Sequence, residues 1–165
     1  MPLNESFINE LKFESVSARK MLERVPMDKA DWKPHEKSMT LGRLASHVAE
    51  IPDWIVHTVS KDELNFNSGE WNPVLFKDNK EMLDYFDKNV SEALKALAKT
   101  DDAKMHTNWA LKMDGNVLFE MPKIQVLRTW AFNHLVHHRA QLSVYLRLNN
   151  IALPGVYGPS ADEGG

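Results

Sequence analysis

The feature that most constrains this chain is helical periodicity, repeated in four long stretches. From about Leu3 to Arg24, the residues Phe7, Leu11, Ser15, Ala18 and Leu22 recur at spacings of three and four, the interval at which side chains return to one face of an α-helix. A second stripe begins after Ser38 or Thr40, either of which can cap a helix N-terminus. It runs through Leu41, Leu44, His47 or Val48, Ile51, Trp54 or Ile55, and Thr58. A third covers 79–99, with Met82 or Leu83, Phe86, Val90, Ala93 or Leu94, and Leu97 inward. The fourth opens at Pro122, where a missing N–H costs nothing, and reaches 149 or 150. Its stripe is Leu127, Trp130 or Ala131, His134, His138, Gln141 or Leu142, and Tyr145. Helices of this length bury such stripes best against one another. The expected fold is therefore all-α: a four-helix bundle occupying residues 1–165 as a single domain.

The punctuation between stripes refines that picture. Pro26 and the DKADWKP stretch end the first helix and leave Trp32 beside the connection, where burial is expected. Pro52 falls inside the second helix. It removes one backbone hydrogen bond and crowds the Val48 carbonyl, which predicts either a kink just after His47 or an end and restart. NFNSGEWNP, 65–73, reads as a loop. Asp114-Gly115-Asn116 lies between two short apolar–polar alternations and predicts a small β-hairpin before the last helix, leaning on the helices. The connections among the first three helices are long for an up-down-up-down bundle, which leaves room for crossovers. The ending LPGVYGPSADEGG predicts an irregular tail, packed near Tyr157 and loose beyond it.

Composition narrows the function. The chain has no cysteine, which excludes disulfides, thiolate-held zinc, iron–sulfur clusters and a cysteine nucleophile. Twenty Lys and Arg stand against 23 Asp and Glu, a net charge of -3, with no basic helix face. Neither nucleic acid nor an anionic membrane surface is an expected partner. No segment approaches the roughly 20 apolar residues that span a bilayer. The opening MPLNESFINELKFESV has no basic region followed by an unbroken apolar run, so the expected location is cytoplasmic.

The chemistry lies in the histidines. His134 and His138 are four apart, so their rings project from one helical face a turn apart and can share an ion. His47 sits mid-stripe on another helix. Three imidazoles converging inside a bundle each bring a donor and an acceptor to satisfy, and a divalent metal resolves that by taking one lone pair from each. The alternative is ordinary: His47 bonded to a backbone carbonyl near Pro52, and His134 and His138 making polar contacts between helices. An all-nitrogen set suits zinc or nickel first, with iron, cobalt or manganese also compatible. Three protein ligands leave a coordination position open, as catalytic sites do. Glu50, three residues after His47, can add a carboxylate. The fourth helix has none to offer, which excludes a carboxylate-bridged di-iron site. His137 falls at the stripe's edge, and His35, His57 and His106 fall in loops, ends or polar faces, where solvation is expected. Gln141, Asn133 and Glu50 are the candidates to hold the second ring nitrogens. Arg139 and Arg147 read as surface ion pairs or, failing that, as anchors for a substrate carboxylate. Tyr145 reads as core packing.

At these residues the sequence resembles the DinB family, the damage-inducible four-helix-bundle proteins related to bacterial thiol-dependent transferases. The matching stretches are LGRLASHVAEIPDW (41–54), LKMDGNVLFEMPK before the last helix, and WAFNHLVHHRAQLSVYLRLNNIALPGVYGPSADE (130–163). The resemblance implies a helical bundle, often a homodimer, with a metal held by His47, His134 and His138. It further implies transfer of a low-molecular-weight thiol such as mycothiol or bacillithiol to a small-molecule substrate. Ala140 stands where the family often has glycine. A non-catalytic metal- or ligand-binding stress protein and a metal-dependent hydrolase are the competing expectations, and no catalytic residue beyond the metal set is singled out.

Overall fold

The computed structural model describes residues 1–67 and 73–163, and the chain is mostly helical with a small three-stranded sheet. Helix α1, Leu3–Leu22, buries Phe7, Leu11, Ala18 and Leu22 as its stripe requires, with Glu14 rather than Ser15 turned inward. Helix α2, Leu41–Ser60, starts on Thr40, whose hydroxyl accepts the Arg43 N–H at 3.2 Å. It runs through Pro52 without ending. The proline costs about 3 kcal/mol in a helix interior. Burial of Leu44, Val48, Ile51, Ile55 and Val59 along the same helix offsets it. Helix α3, Asn79–Ala98, is capped by Asp78, which accepts the Glu81 N–H at 2.8 Å. A short helix α4, Asp102–Met105, follows, and Asp102 accepts the N–H of Leu3 at the start of α1.

Strands β1, Glu63–Phe66, β2, Asn108–Met113, and β3, Asn116–Pro122, form a sheet in the order β1-β2-β3. The hairpin turn is where the sequence put it. Asp114 (φ 49°) and Gly115 (φ 80°) are both left-handed, the requirement of the tight turn that matches strand twist. The sheet itself is a correction. Asn65 and Phe66, expected in a loop, end a strand that pairs in parallel with β2 through Glu63↔Ala110 to Phe66↔Met113. Four residues carry too little alternation to betray a strand, and its partner lies more than 40 positions away. The middle of that expected loop, 68–72, is outside the described residues. Trp109, fully buried, joins the sheet to α2 through Trp54.

The last helical run is also corrected. It comprises α5, Lys123–Val126, a π-helical stretch Leu127–Phe132, and α6, Asn133–Leu148. The Asn133 N–H reaches back five residues to the Arg128 carbonyl. Thr129 donates its hydroxyl to the Gln125 carbonyl at 2.8 Å, a bond that competes with regular helix. The wider turn rephases the stripe: Leu135, His138, Arg139, Leu142 and Leu146 are buried, while His134 and Tyr145 are half-buried. Helix α2 packs against α3 and α6, and α1 against the same two. Trp32 is half-buried, edge-on to Tyr145 at 5.6 Å.

The tail is tied down through Glu163. Asp162 accepts from Leu153 N–H and Arg147, and Glu163 accepts from Gly155 N–H and Ser160 N–H. The looseness expected there does not extend to these residues; 164–165 lie outside the described ones.

Candidate metal centre

Helix α2 presents His47 and helix α6 presents His134 and His138, and the fold brings the three rings together. Their centroids lie 4.9 Å (47–134), 4.6 Å (47–138) and 4.6 Å (134–138) apart. One nitrogen from each falls within 4.8 Å of the other two. The Nε2 atoms of His47 and His134 are 3.2 Å apart. Two nitrogens bound tetrahedrally at zinc–nitrogen lengths sit about 3.3 Å apart, so this spacing suits two ligands of one ion.

The outer nitrogens decide what the inner ones can do. His47 Nδ1 lies 3.3 Å from Glu50 Oε2, His134 Nδ1 3.2 Å from the Trp130 carbonyl, and His138 Nδ1 2.8 Å from Gln141 Oε1. Each partner is an oxygen acceptor, so each Nδ1 carries the proton and each Nε2 is left with a lone pair. Nε2 lone pairs directed into one small volume repel unless a cation stands between them. The surroundings also favour the neutral form of His138 and His134. Burial lowers His138 to about 4, reinforced by the neighbouring histidines against the Gln141 bond. Burial likewise lowers His134, with His47 next in effect.

Glu50 is the hub behind His47. Burial pushes its carboxyl up, but the bonds from His47 and Arg43 outweigh that and hold it below the usual carboxylate range. Arg43 Nη2 donates to Oε2 at 2.8 Å and the Val74 N–H donates to Oε1 at 3.1 Å. Glu50 thus ties α2 to the segment that leads into α3. Of the three expected orienting residues, Glu50 and Gln141 take that role and Asn133 does not, because the Trp130 carbonyl reaches His134 instead. Arg43 was not foreseen. It is seven residues, two turns, before Glu50 on the same face, and that spacing was the available signal.

The other charged candidates separate clearly. Arg147 pairs with Asp162 at the surface as expected. Arg139 does not: it is 2% exposed, bonded to Glu14 (7% exposed), Ser17 and the Tyr157 hydroxyl, and its guanidinium lies over the Tyr157 ring at 5.2 Å. It is engaged inside the fold, locking α1 and the tail to α6. His137 is exposed, as are His35 and His106. His57 is half-buried, with Nε2 3.1 Å from Asp53 Oδ2.

The fold and this three-histidine geometry define a class, the helical proteins with an all-imidazole site between helices. The sequence pattern of the DinB family matches residues 1–164, and the chain belongs to that family. It is similar to the crystal structure of a DinB-like protein from Bacillus cereus ATCC 10987, with 27% identity, a TM-score of 0.72, and coverage of 94% of this chain and 98% of that one. A DinB-like protein from Bacillus subtilis shares the fold at 14% identity and a TM-score of 0.70, covering 94% and 99% of the two chains. Among curated proteins it is 23% identical over 159 residues to the uncharacterized protein YrdA of Bacillus subtilis (strain 168), covering 96% of this chain and 90% of the relative. Among the described residues no helix is long and apolar enough to cross a membrane.

Proposed function

We propose that this DinB-family chain is a metal-dependent transferase that moves a low-molecular-weight thiol onto a small electrophilic substrate. In this reading one domain, a four-helix bundle carrying the β2–β3 hairpin, holds a divalent transition ion, zinc or nickel first, through the Nε2 atoms of His47, His134 and His138. The single observation that supports it most is the arrangement of the rings: an oxygen beside each Nδ1, and one nitrogen of each ring within 4.8 Å of the other two. Such an ion supplies Lewis acidity, drawing protons off a thiol or a water at neutral pH. The chain's own contributions are positional. Glu50 and Gln141 hold the tautomers of His47 and His138, and the Trp130 carbonyl holds that of His134. Trp54, half-buried beside the cleft, limits access of water. The chain has no cysteine, so in this reading the reacting sulfur comes from the cosubstrate.

The test begins with metal. Purified protein is stripped, reloaded with zinc or nickel, and analysed beside His134→Ala and His138→Ala. One ion per chain in the parent and a marked loss in both variants is expected; equal metal in all three refutes the site. The loaded protein is then incubated with a thiol panel and 1-chloro-2,4-dinitrobenzene. Metal-dependent conjugation supports transfer, no conjugation with any thiol favours a binding protein, and product formed with water alone selects a hydrolase. The homodimer is part of the same proposal, and sedimentation of the loaded protein at twice the chain mass is its expected outcome.

A further inference from the structure

The cleft at the histidine cluster continues along α2 past the ligands. Taken at 100° per residue, His47, Trp54, Glu50, His57 and Asp53 occupy one broad arc of about 120° on that helix. All five line a cleft of about 200 Å³, faced by Leu64 of β1 and Tyr85 of α3. Its size fits one ring: an apolar cavity of about 150 Å³ is enough to hold benzene.

The cleft has two unlike ends. The inner end carries the lone pairs of the histidine cluster. At the outer end Asp53 is 43% exposed in its side chain, with Oδ2 3.1 Å from His57 Nε2. The rise of α2 separates His47 from Asp53 by about 9 Å, roughly a substituted benzene. No Lys or Arg lines the cleft among the described residues. Arg43, the guanidinium near the cluster, is engaged by Glu50 and the Val74 carbonyl. Trp54 also lines the cleft, its indole braced by Trp109 at 6.4 Å, Trp130 at 6.0 Å and Phe66 at 6.1 Å, with Trp130 stacked on Phe119 at 4.9 Å. A face fixed in this way offers a flat surface without losing side-chain freedom on binding.

We propose that this cleft selects a single-ring aromatic substrate, uncharged or cationic, laid on Trp54 with a hydrogen-bond-donating substituent directed to Asp53. An anionic substituent at that end would face the Asp53 carboxylate, with no Lys or Arg among the described lining residues to receive it. The proposal rests on the transferase reading for its purpose, since the ring's other end then points to the histidine cluster, but it predicts binding that requires no thiol.

The test is calorimetric titration of the zinc-loaded protein with benzamidine, benzyl alcohol and benzenesulfonate, three probes of one shape and different charge. The expected order of affinity is benzamidine, then benzyl alcohol, then benzenesulfonate. Asp53→Asn, a partly exposed position that does not threaten folding, weakens benzamidine about tenfold, the loss of one charged hydrogen bond, and leaves benzyl alcohol little changed. In ¹H–¹⁵N spectra benzamidine shifts the Trp54 indole N–H, assigned by its disappearance in Trp54→Phe. Benzenesulfonate binding as tightly as benzamidine, an unaffected Asp53→Asn variant, or no probe bound overturns the proposal. Conjugation that proceeds while no probe binds overturns the proposal and leaves the transferase reading standing. Probe binding in this order without conjugation of any thiol supports the proposal and removes the transferase reading.

Discussion

Glu50 offers the sharpest test of how the chain prepares its histidines. Glu50→Ala removes one carboxylate from three donors: His47 Nδ1 at 3.3 Å, Arg43 Nη2 at 2.8 Å and the Val74 N–H at 3.1 Å. A hydrogen bond to a charged group contributes about 1.5–3 kcal/mol. The Glu50 side chain is 16% exposed, so the lower end applies to each. Among the described residues Arg43 would keep only the Val74 carbonyl at 3.4 Å. The three bonds do not add fully, and the expected loss of folding stability is about 3 kcal/mol. The effect on metal is separable. Without the acceptor, the His47 proton is free to move to Nε2, and the ring is free to turn. Loss of an orienting partner of this kind lowers metal affinity about 10–100-fold. Glu50→Gln keeps an acceptor but no charge and falls between the two. The assay is competition of the zinc-loaded protein against a chromogenic chelator at neutral pH, with urea denaturation in parallel. If Glu50→Ala folds by circular dichroism and holds zinc with an affinity indistinguishable from the parent, the positioning argument is wrong.

Other outcomes follow from the same structure. Arg139→Leu leaves the Glu14 carboxylate buried with, among the described residues, only the Tyr157 hydroxyl, and should cost about 3–5 kcal/mol, a fall in Tm on the order of 10 °C; adding Glu14→Leu should recover part of it in thermal denaturation, and an unchanged single variant would show the pair to be solvated. In the metal-free protein, burial keeps His138 at about 4 and His134 lowered, so between about 6.5 and 4 the unfolded chain binds protons that the folded chain refuses. That contribution to stability is therefore full above the ordinary histidine value and declines as pH falls. His138→Leu should flatten the stability-against-pH curve in that window by up to about 1.4 kcal/mol per pH unit, and a parallel curve would count against the burial. Gly115 has φ 80° and open space where a Cβ would stand, so Gly115→Ala should cost only the backbone term, about 1 kcal/mol in urea denaturation; no loss would mean the turn relaxes.

Several parts of the site were legible because they are local. The i, i+4 spacing of His134 and His138 and the i, i+3 spacing of His47–Glu50 and His138–Gln141 are properties of any α-helix, so the side chains meet whatever the tertiary fold. His134 shows where that reasoning stops. An unbroken helix puts it squarely on the buried stripe, but the π-helical stretch before it leaves it half-buried at the edge, its Nδ1 against a main-chain carbonyl that no residue type announces. Arg139 shows a second limit. An arginine beside polar neighbours on a late helix looks solvated, and only Glu14, 125 positions earlier on α1, makes its burial tolerable.

The sequence by itself determined the long helices, the cap at Thr40, the turn at Asp114-Gly115, and which three imidazoles stood on inward stripes. Each of these depends on residues within a few positions of one another, where backbone geometry fixes the relation. The tertiary structure alone decided that β1 joins β2, that α2 continues through Pro52, and that Arg139 is buried. It also decided that His47 comes to within 3.2 Å of His134 across 87 positions. Those outcomes turn on packing between distant segments, where the gain from burying a whole helix face or closing an ion pair overrides the preference of any single residue.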